Sequence, residues 1–364
     1  ISTSVTGFIG KALQGPLNKA TKINSLSDYD RIFGGRWKES PMSYAVEQYY
    51  NHGGKEAVVV RIGDSNDPGE ADYLGDPSHK TGLHAFNDVD VLNIMVVPPP
   101  TRTTVTPSAV WLAALDLCKK KRAMLIVDPP FSVQDPSYLL TSSGITDIVP
   151  RDSHIAFYYP HLVIRDPEQG GAPKTFVASG AIAGLWARID GSRGVWKAAA
   201  GLEATLQGVE NLSYTLSNTE NASLNRIGVN CLRDFSYRGK LVWGARTLEG
   251  ADYLSSEYKY IPVRRLALHI EESLEKGLAW TVFEPNNEQL WSQVRLHTGN
   301  FMQQLYQQGA FAGVSQKDAY FVKCDRETTT QNDIQKGIFN LMVGFAPMKP
   351  AEFVIIKLQL RTKA

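Results

Sequence analysis

One serine, with acids and histidines upstream of it, is the set of side chains that could form a hydrolytic site. Ser179 lies at the predicted start of a helix, in the segment VASGAIAG. A serine nucleophile needs a positioned histidine and aspartate, and the residues available for these roles are Asp64, Asp128, His52, His154 and His161. Serine is also a common N-cap residue. We therefore interpret Ser179 as a helix-start residue and predict no catalytic residue, with a degenerate hydrolase acting through Ser179 as an alternative.

The surroundings of these residues do not match a known catalytic motif. The segment around Ser179 is similar to the nucleophile segment of subtilisin-like proteases, but no candidate acid or histidine lies in that family's DSG or HGTH context. No GxGxxG, Walker, HExxH or GxSxG motif occurs in a suitable context. Asp128 comes before Pro129 and Pro130 at the end of a predicted strand, where sites of α/β sheets often lie, and is interpreted as a turn residue.

The cysteines and the remaining histidines do not support a metal or cofactor site. Cys118, Cys231 and Cys324 are far apart and lack CxxC or Cys/His ligand spacing, so we expect three reduced, mostly buried thiols. His269 and His297 lie on predicted helices without a ligand partner four residues later, and we expect packing or surface roles for both. The sequence predicts no metal, no cofactor and no enzyme activity.

The composition is typical of a soluble globular protein with two domains. The 364 residues exceed the usual size of one hydrophobic core, and 38 basic against 37 acidic residues leave a net charge of +1. That charge provides no field for holding a nucleic acid. The sequence has neither a secretory signal nor a membrane-spanning stretch, so we expect the chain to stay in the cytosol at first. Its start at Ile1 suggests that a natural N-terminal stretch is missing.

Hydrophobic periodicity predicts an α/β domain in the middle of the chain. Continuous apolar strands at 91–97, 123–128 and 155–164 alternate with helices near 107–120 and from Ser179 onward. This alternation is typical of a parallel sheet that is covered on both faces.

The two ends of the chain predict further strands and helices, which in the last third form an α+β arrangement. The predicted strands are 5–10, 57–62, 241–248, near 280, 319–324, 341–346 and 352–360. The predicted helices begin after Ser25, at Pro41, at Pro262 and near Asn286. The alternating strand 352–360 can pair within its own subunit or with a neighbour's sheet edge.

Several segments together resemble the contractile tail sheath family, which occurs in phages, R-type pyocins and extracellular toxin-injection particles. The segments occur in the family's order from one end of the chain to the other. They are TGFIGKALQGPLN (6–18), YAVEQYYNHGGKEAVVVRI (44–62), SGAIAGLWARIDGSRGVWKAAAG (179–201), VWGARTL (242–248) and VGFAPMKPAEFV (343–354). The chain departs modestly from the family where VASG replaces a common Pro-Pro-Ser-Gly.

The resemblance implies a division into a core domain and an inserted domain. Residues 1–62 and 241–364 would form an α+β core domain that faces the tube. Residues 63–240 would form an outward-facing α/β domain, similar to subtilisin in fold but without its catalytic triad.

The resemblance also implies a structural function. The chain would polymerise as stacked hexameric rings around an inner tube and contract to drive that tube through a target cell envelope. Its partners would be neighbouring sheath subunits, the inner tube protein, and baseplate and terminal cap proteins, without nucleic acid and without membrane insertion. It would assemble in the bacterial cytoplasm as part of a phage tail or of a particle released from the cell. The alternative to a sheath subunit is that the chain is a monomeric α/β adaptor.

Two contact regions follow from the same resemblance. A C-terminal arm would pair with the sheet of an adjacent subunit through Phe353, Val354, Ile355, Ile356, Lys357, Leu358, Gln359 and Leu360. Contact with the inner tube would use polar residues on a helix at 287–307 or at 331–340, and the sequence leaves both open.

Overall fold

The computed structural model describes residues 1–64, 67–348 and 354–361, the last range by its backbone. The chain divides into two compact units, which we call the N-terminal unit (Ser2–Arg265) and the C-terminal unit (Leu266–Ala364). Each unit is described separately below.

In the first part of the N-terminal unit, capping residues determine where the two helices begin. Ser25 accepts a hydrogen bond from the backbone N–H of Asp28 at 3.1 Å and starts the first helix. Ser40 does the same for Ser43, and Pro41 occupies the first helical turn, where its missing N–H costs nothing. The elements are β1 (Thr6–Gly10), β2 (Thr21–Ile23), α1 (Leu26–Phe33), α2 (Pro41–Asn51) and β3 (Ala57–Arg61).

The rest of the N-terminal unit alternates strands and helices. Its elements are α3 (Glu70–Leu74), β4 (Ile94–Val96), α4 (Ser108–Lys121), β5 (Met124–Val127), β6 (Ile155–Tyr159), β7 (Leu162–Asp166), β8 (Ala172–Phe176), α5 (Ser179–Arg193), β9 (Asn211–Leu212), α6 (Asn218–Arg226), β10 (Val229–Phe235) and β11 (Gly239–Val242). The predicted strand 155–164 is two strands, because Pro160 lacks an N–H for a ladder. Of the predicted strand 241–248, only residues 241 and 242 lie in a strand, at the end of β11.

The central sheet confirms the predicted parallel α/β architecture. Its order, among the described residues, is β11-β10-β6-β5-β4-β1-β3-β2, and the pairs between β10 and β3 are parallel. Strands β2 and β11 are antiparallel edges. Strands β4, β5 and β6 are buried along their whole length, as expected for a sheet that is covered on both faces. Strands β8, β7 and β9 form a separate antiparallel sheet.

The pairing of β1 does not agree with the domain division expected from the sequence. Strand β1 pairs with β3 on one side and with β4 on the other, so residues 6–61 and 94–242 share one sheet. A boundary after residue 62 would cut through these ladder hydrogen bonds. The structure instead groups residues 2–62 with the α/β domain, and the compact unit continues to Arg265.

The C-terminal unit is an α+β structure, as predicted. Helix α7 (Ile261–Gly277) begins in the N-terminal unit and continues past Arg265. It is followed by α8 (Glu288–Gln307), α9 (Gln316–Ala319), β12 (Tyr320–Lys323), α10 (Gln331–Gln335), β13 (Ile338–Phe345) and β14 (Val354–Arg361). The three strands form an antiparallel sheet in the order β12-β13-β14.

Two predictions for this unit are wrong. The predicted strand near 280 is a short 3-10 turn, Ala279–Thr281. The helix considered over 331–340 ends at Gln335, because Lys336 and Gly337 turn the chain into β13 and Gly337 has a positive φ of 68°.

Candidate functional site

Asp128 and Ser179 meet at the carboxyl end of β5. Asp128 follows this strand directly, and its Oδ1 accepts hydrogen bonds from the backbone N–H groups of Ala178 and Ser179, both at 3.0 Å. These are N–H groups at the start of α5, which have no partner within the helix. The predicted turn residue is therefore a buried carboxylate that caps a helix supplied by a distant segment.

Burial controls the electrostatics of this pair. Loss of hydration raises the pKa of Asp128 from 3.8 to about 6, although the hydrogen bonds from Ser179 and Ala178 oppose the change. The Ser179 hydroxyl and Asp128 Oδ2 are buried, and neither has a hydrogen-bond partner among the described residues.

The candidate histidines hold other parts of the fold. The Nδ1 of His52 lies 2.7 Å from the Gln48 carbonyl oxygen, and its Nε2 accepts the Gln207 N–H at 2.9 Å. His161 Nε2 lies 2.8 Å from the Pro129 carbonyl oxygen, and burial lowers the pKa of this imidazole to about 4. These contacts fix loops and helix ends.

His154 has the same structural character. Its Nδ1 lies 2.9 Å from Asp152 Oδ1, and its Nε2 lies 2.9 Å from Arg264 Nη2. The remaining acid, Asp64, forms a long ion pair with Arg61 at 3.8 Å on the surface.

The contacts do not assemble the nucleophile and base that hydrolysis requires. In the part of the chain that the structure describes, no histidine is hydrogen-bonded to Ser179. The histidines at 52 and 154 have both ring nitrogens engaged elsewhere. The hydrolase alternative therefore has no support from the geometry of these residues.

The thiols and the other two histidines lie as expected. Cys118, Cys231 and Cys324 are free and buried. Loss of hydration raises the pKa of Cys231 to about 12. The His297 ring packs on Trp280 at a centroid distance of 5.3 Å, and His269 lies 6.2 Å from the ring of Phe301.

The part of the chain that the structure describes contains neither a metal-ligand cluster nor a helix suited to cross a membrane. Within residues 1–64, 67–348 and 354–361, no cluster of three or more His, Cys, Asp or Glu side chains could hold a metal ion. Over the same ranges, none of the helices has the length and apolar character that a membrane span requires.

A buried ion pair at the start of α7 was not predicted from the sequence. Arg265 contacts both carboxylate oxygens of Asp190 in α5, at 2.9 and 2.6 Å, and donates to the Thr3 carbonyl oxygen at 3.0 Å. The Thr3 hydroxyl donates to Asp190 at 2.7 Å, and the guanidinium lies 4.6 Å from the ring centroid of Trp186. This Arg265 clamp joins three segments far apart in sequence, so no local pattern could predict it.

The predicted C-terminal arm forms a strand in its own chain. Strand β14 pairs antiparallel with β13, from Phe345 opposite Val354 to Ile338 opposite Arg361. Residues 354–360 of the predicted arm lie in this strand, at one edge of the sheet. Phe353 lies outside the described residues. An edge strand has one side available for a further strand.

The comparisons with known proteins point to one family. Residues 255–361 match the family model described as the phage tail sheath C-terminal domain. A chain in the structure of the anti-feeding prophage baseplate is 32% identical with a TM-score of 0.78, and the match covers 98% of this chain and 93% of that one. The chain belongs to the phage tail sheath family.

Other sheath structures support the same membership. A chain of the anti-feeding prophage helical sheath in the contracted state is 31% identical, with the same coverage and a TM-score of 0.78. The contracted sheath complex of the PVC extracellular contractile injection system is 26% identical with a TM-score of 0.77, over 98% of this sheath protein and 92% of that chain. No match was found among curated proteins.

The fold itself extends to more distant sheath proteins. The sheath tail protein of Desulfitobacterium hafniense shares 11% identity with a TM-score of 0.68, over 99% of this chain and 97% of that one. The mixed α/β fold of this family member is therefore shared with this more distant sheath protein.

Proposed function

We propose that the chain is a structural sheath subunit, which polymerises as stacked hexameric rings around an inner tube and contracts to drive that tube through a target cell envelope. The observation that supports this most directly is the match to the contracted helical sheath of the anti-feeding prophage, at 31% identity over 98% of the chain. The neighbours of each subunit would be other sheath subunits, six per ring, with the inner tube, baseplate and cap proteins as further partners.

Contraction in this proposal needs stored conformational free energy and no enzyme activity. Each subunit would gain contacts as rings rotate and approach one another, and the gain would be summed over many copies. The buried Arg265 clamp and the fully buried central strands favour movement of the N-terminal unit as a body. The catalytic candidates have structural contacts in this scheme, which agrees with a non-enzymatic role.

The C-terminal arm is the proposed link between subunits. Strand β14 provides the edge for this link, because its pairing with β13 uses one of its two sides. In the assembly, residues 353–360 would pair with the sheet of an adjacent subunit and keep rings connected during contraction.

The orientation of the subunit is also part of the proposal. Residues 63–240, together with the strands of 6–61 that share their sheet, would face outward with a subtilisin-like fold, and residues 266–361 would face the tube. Helix α8 is the better candidate for tube contact. Its 20 residues bury one face and expose Gln293 and Asn300 on another, whereas α10 has 5 residues. Assembly would take place in the bacterial cytoplasm, within a phage tail or a particle that is later released.

Negative-stain electron microscopy and sedimentation of the purified chain test this proposal. We expect wide hollow tubes or stacked rings that sediment far faster than a 40.2 kDa monomer. A stable monomer at high concentration, from a chain with its native termini, would contradict the proposal and favour the adaptor alternative.

A further inference from the structure

A chain of polar side chains ties the start of α7 to the rest of the N-terminal unit. Lys119 Nζ in α4 lies 2.6 Å from Asp152 Oδ2, and Asp152 Oδ1 lies 2.9 Å from Nδ1 of His154, the residue before β6. The other ring nitrogen of His154, Nε2, lies 2.9 Å from Nη2 of Arg264 in the first turn of α7. All four residues belong to the N-terminal unit.

These contacts fix the position of the proton on His154. A guanidinium has only N–H donors, so Arg264 can hydrogen-bond to Nε2 only if that nitrogen carries no proton. The proton of the neutral ring is then on Nδ1, which donates it to Asp152. Although burial alone would raise the pKa of Asp152, hydrogen bonds from His154 and Lys119 hold it well below its usual range, so this acceptor stays charged.

A second proton on His154 is incompatible with its contact to α7. An imidazolium has an N–H on both nitrogens and no acceptor, so Nε2 and Arg264 Nη2 would be two donors of like charge facing each other. Burial strengthens that repulsion, because His154 is 8% and Arg264 9% exposed.

The direction of the pH effect follows from the two neighbours of the ring. Asp152 stabilises the imidazolium whether or not Arg264 is in place, whereas Arg264 opposes it only while the two side chains are in contact. Protonation is therefore easier once Arg264 has moved away. Acid favours the released state of α7, and neutral pH favours the attached state.

The groups beside this network keep their charge state over the range in which histidine titrates. Lysine and arginine are cations throughout pH 5–8, and burial raises the pKa of the Cys118 thiol, which keeps it neutral. The ring of Tyr258 stacks on the Arg264 guanidinium at 4.2 Å, and Arg151 donates to two backbone carbonyl oxygens. Among these described groups, only the imidazole of His154 belongs to a residue type that changes charge between pH 5 and 8.

The next residue attaches the same turn of α7 in a different way. Arg265 is held by the carboxylate of Asp190, in the clamp described above. Two adjacent arginines therefore connect this turn to the N-terminal unit, one through a titratable ring and the other through a carboxylate.

We propose that His154 is a pH-sensitive attachment for α7, which holds Arg264 when the ring is neutral and releases it when the ring is protonated. Release loosens the turn through which the chain passes from the N-terminal unit to the C-terminal unit, at Arg265 and Leu266. The device is a property of the single subunit and does not depend on the proposed sheath function.

Amide hydrogen exchange of the dispersed full chain tests this proposal. The rates at Arg264 and at the residues that follow it in α7 report how often the start of the helix opens. Each rate is divided by that of an unstructured peptide at the same pH, which removes the intrinsic pH dependence of exchange. From pH 7.5 to 5.5, the protection of these amides should fall about tenfold, the lower end of what the loss of a hydrogen bond to a charged group causes.

Two glutamine variants separate His154 from effects of acid elsewhere. The side-chain oxygen of His154→Gln can accept from Arg264 and gains no proton in this range, so this variant should show no such fall. His79→Gln is the matched control, because His79 is exposed and its ring contacts Asp76 instead. This control should show the same fall as the unsubstituted chain.

A third variant covers the case in which His154→Gln does not fold. Arg264→Met removes the guanidinium and keeps an apolar stem, so the start of α7 should be poorly protected to the same extent at both pH values.

Three results would overturn the proposal: an equal fall in His154→Gln and the unsubstituted chain, a fall that persists in Arg264→Met, or unchanged protection in the unsubstituted chain. Each of them leaves the proposed sheath function intact, because tube formation is scored separately by electron microscopy and sedimentation.

Discussion

At the residue scale, the polar side chains that suggested chemistry stabilise the fold instead. Asp128 caps α5 through two backbone N–H groups, and His52 and His161 hold carbonyl groups of α2 and of the Pro129 turn. The same residue types and burial that indicate a hydrolytic site also suit helix caps and loop anchors. Only the contacts distinguish the two.

Asp128 should make stability depend on pH. Its pKa of about 6 in the folded protein lies above the ordinary 3.8, so the folded state binds the proton more tightly than the unfolded state. Stability from this group is therefore present at low pH and is lost as the pH rises through 6. Between pH 4 and 7, the unfolding free energy of the unsubstituted protein should fall by about 2–3 kcal/mol relative to Asp128→Asn.

Urea denaturation of both proteins across this pH range measures the effect. Asparagine keeps the oxygen that accepts the two N–H groups and removes the titration, so it isolates the charge. Parallel stability curves for the two proteins would contradict the assignment of a raised pKa.

The Arg265 clamp should contribute more to stability than an exposed ion pair of the same type. Asp190→Asn leaves a guanidinium that is 5% exposed without its charge partner, and such losses cost about 3–5 kcal/mol. Glu203→Gln is the matched control, because the Arg193–Glu203 pair is about half exposed, and it should cost less than about 1 kcal/mol. Chemical denaturation measures both, and equal losses would argue against the clamp.

At the element scale, two glycines set how closely α5 approaches α2. A Cβ at Gly180 would lie 2.2 Å from the Ala45 carbonyl oxygen, and one at Gly184 would lie 2.2 Å from that of Tyr49. Backbone atoms cannot yield as a flexible side chain can, so this helix pair depends on the missing side chains.

Alanine substitutions in α5 test this packing. Gly184→Ala should destabilise the protein by about 1–3 kcal/mol, because overpacking outweighs the gain in helix propensity. Gly191→Ala in the same helix meets only the end of the Lys55 side chain, at 3.3 Å, and should stabilise by up to about 1 kcal/mol. Thermal unfolding measures both, and a stabilised Gly184→Ala variant would refute the close approach.

At the scale of the whole molecule, the two units have different consequences for assembly. The N-terminal unit has a long sheet with antiparallel edge strands β2 and β11, whereas the sheet of the C-terminal unit ends in β14, close to the chain terminus. An edge strand such as β14 suits the proposed link between subunits, since its second side can pair with a further strand while β13 stays in place.

Removal of residues 353–364 should leave a folded monomer that does not polymerise. The β13 strand would lose its partner, and the proposed link between subunits would be absent. Removal of 362–364 alone is the control, because it retains β14 (Val354–Arg361), and this chain should still assemble. Circular dichroism checks folding and sedimentation checks assembly; full-length tubes from the longer deletion would exclude the arm as the link.

The sequence alone determined features that depend on neighbouring residues. Ser25 and Pro41 were sufficient to place the starts of α1 and α2, and continuous apolar runs predicted the buried parallel strands. Capping and hydrophobic periodicity depend on residues that are close in the sequence, so both can be recognised from the sequence alone. The family could also be identified from segments spread over the chain, and the sheath structures confirmed it.

Only the tertiary structure decided features that join distant residues. The pairing of β1 with β4 placed residues 6–61 in the α/β sheet, against the division expected from the sequence. The Arg265–Asp190 pair joins two residues that lie 75 positions apart in the sequence. Strand pairing and buried ion pairs are chosen by competition among all possible partners in the folded chain, and that competition leaves no local signal in the sequence.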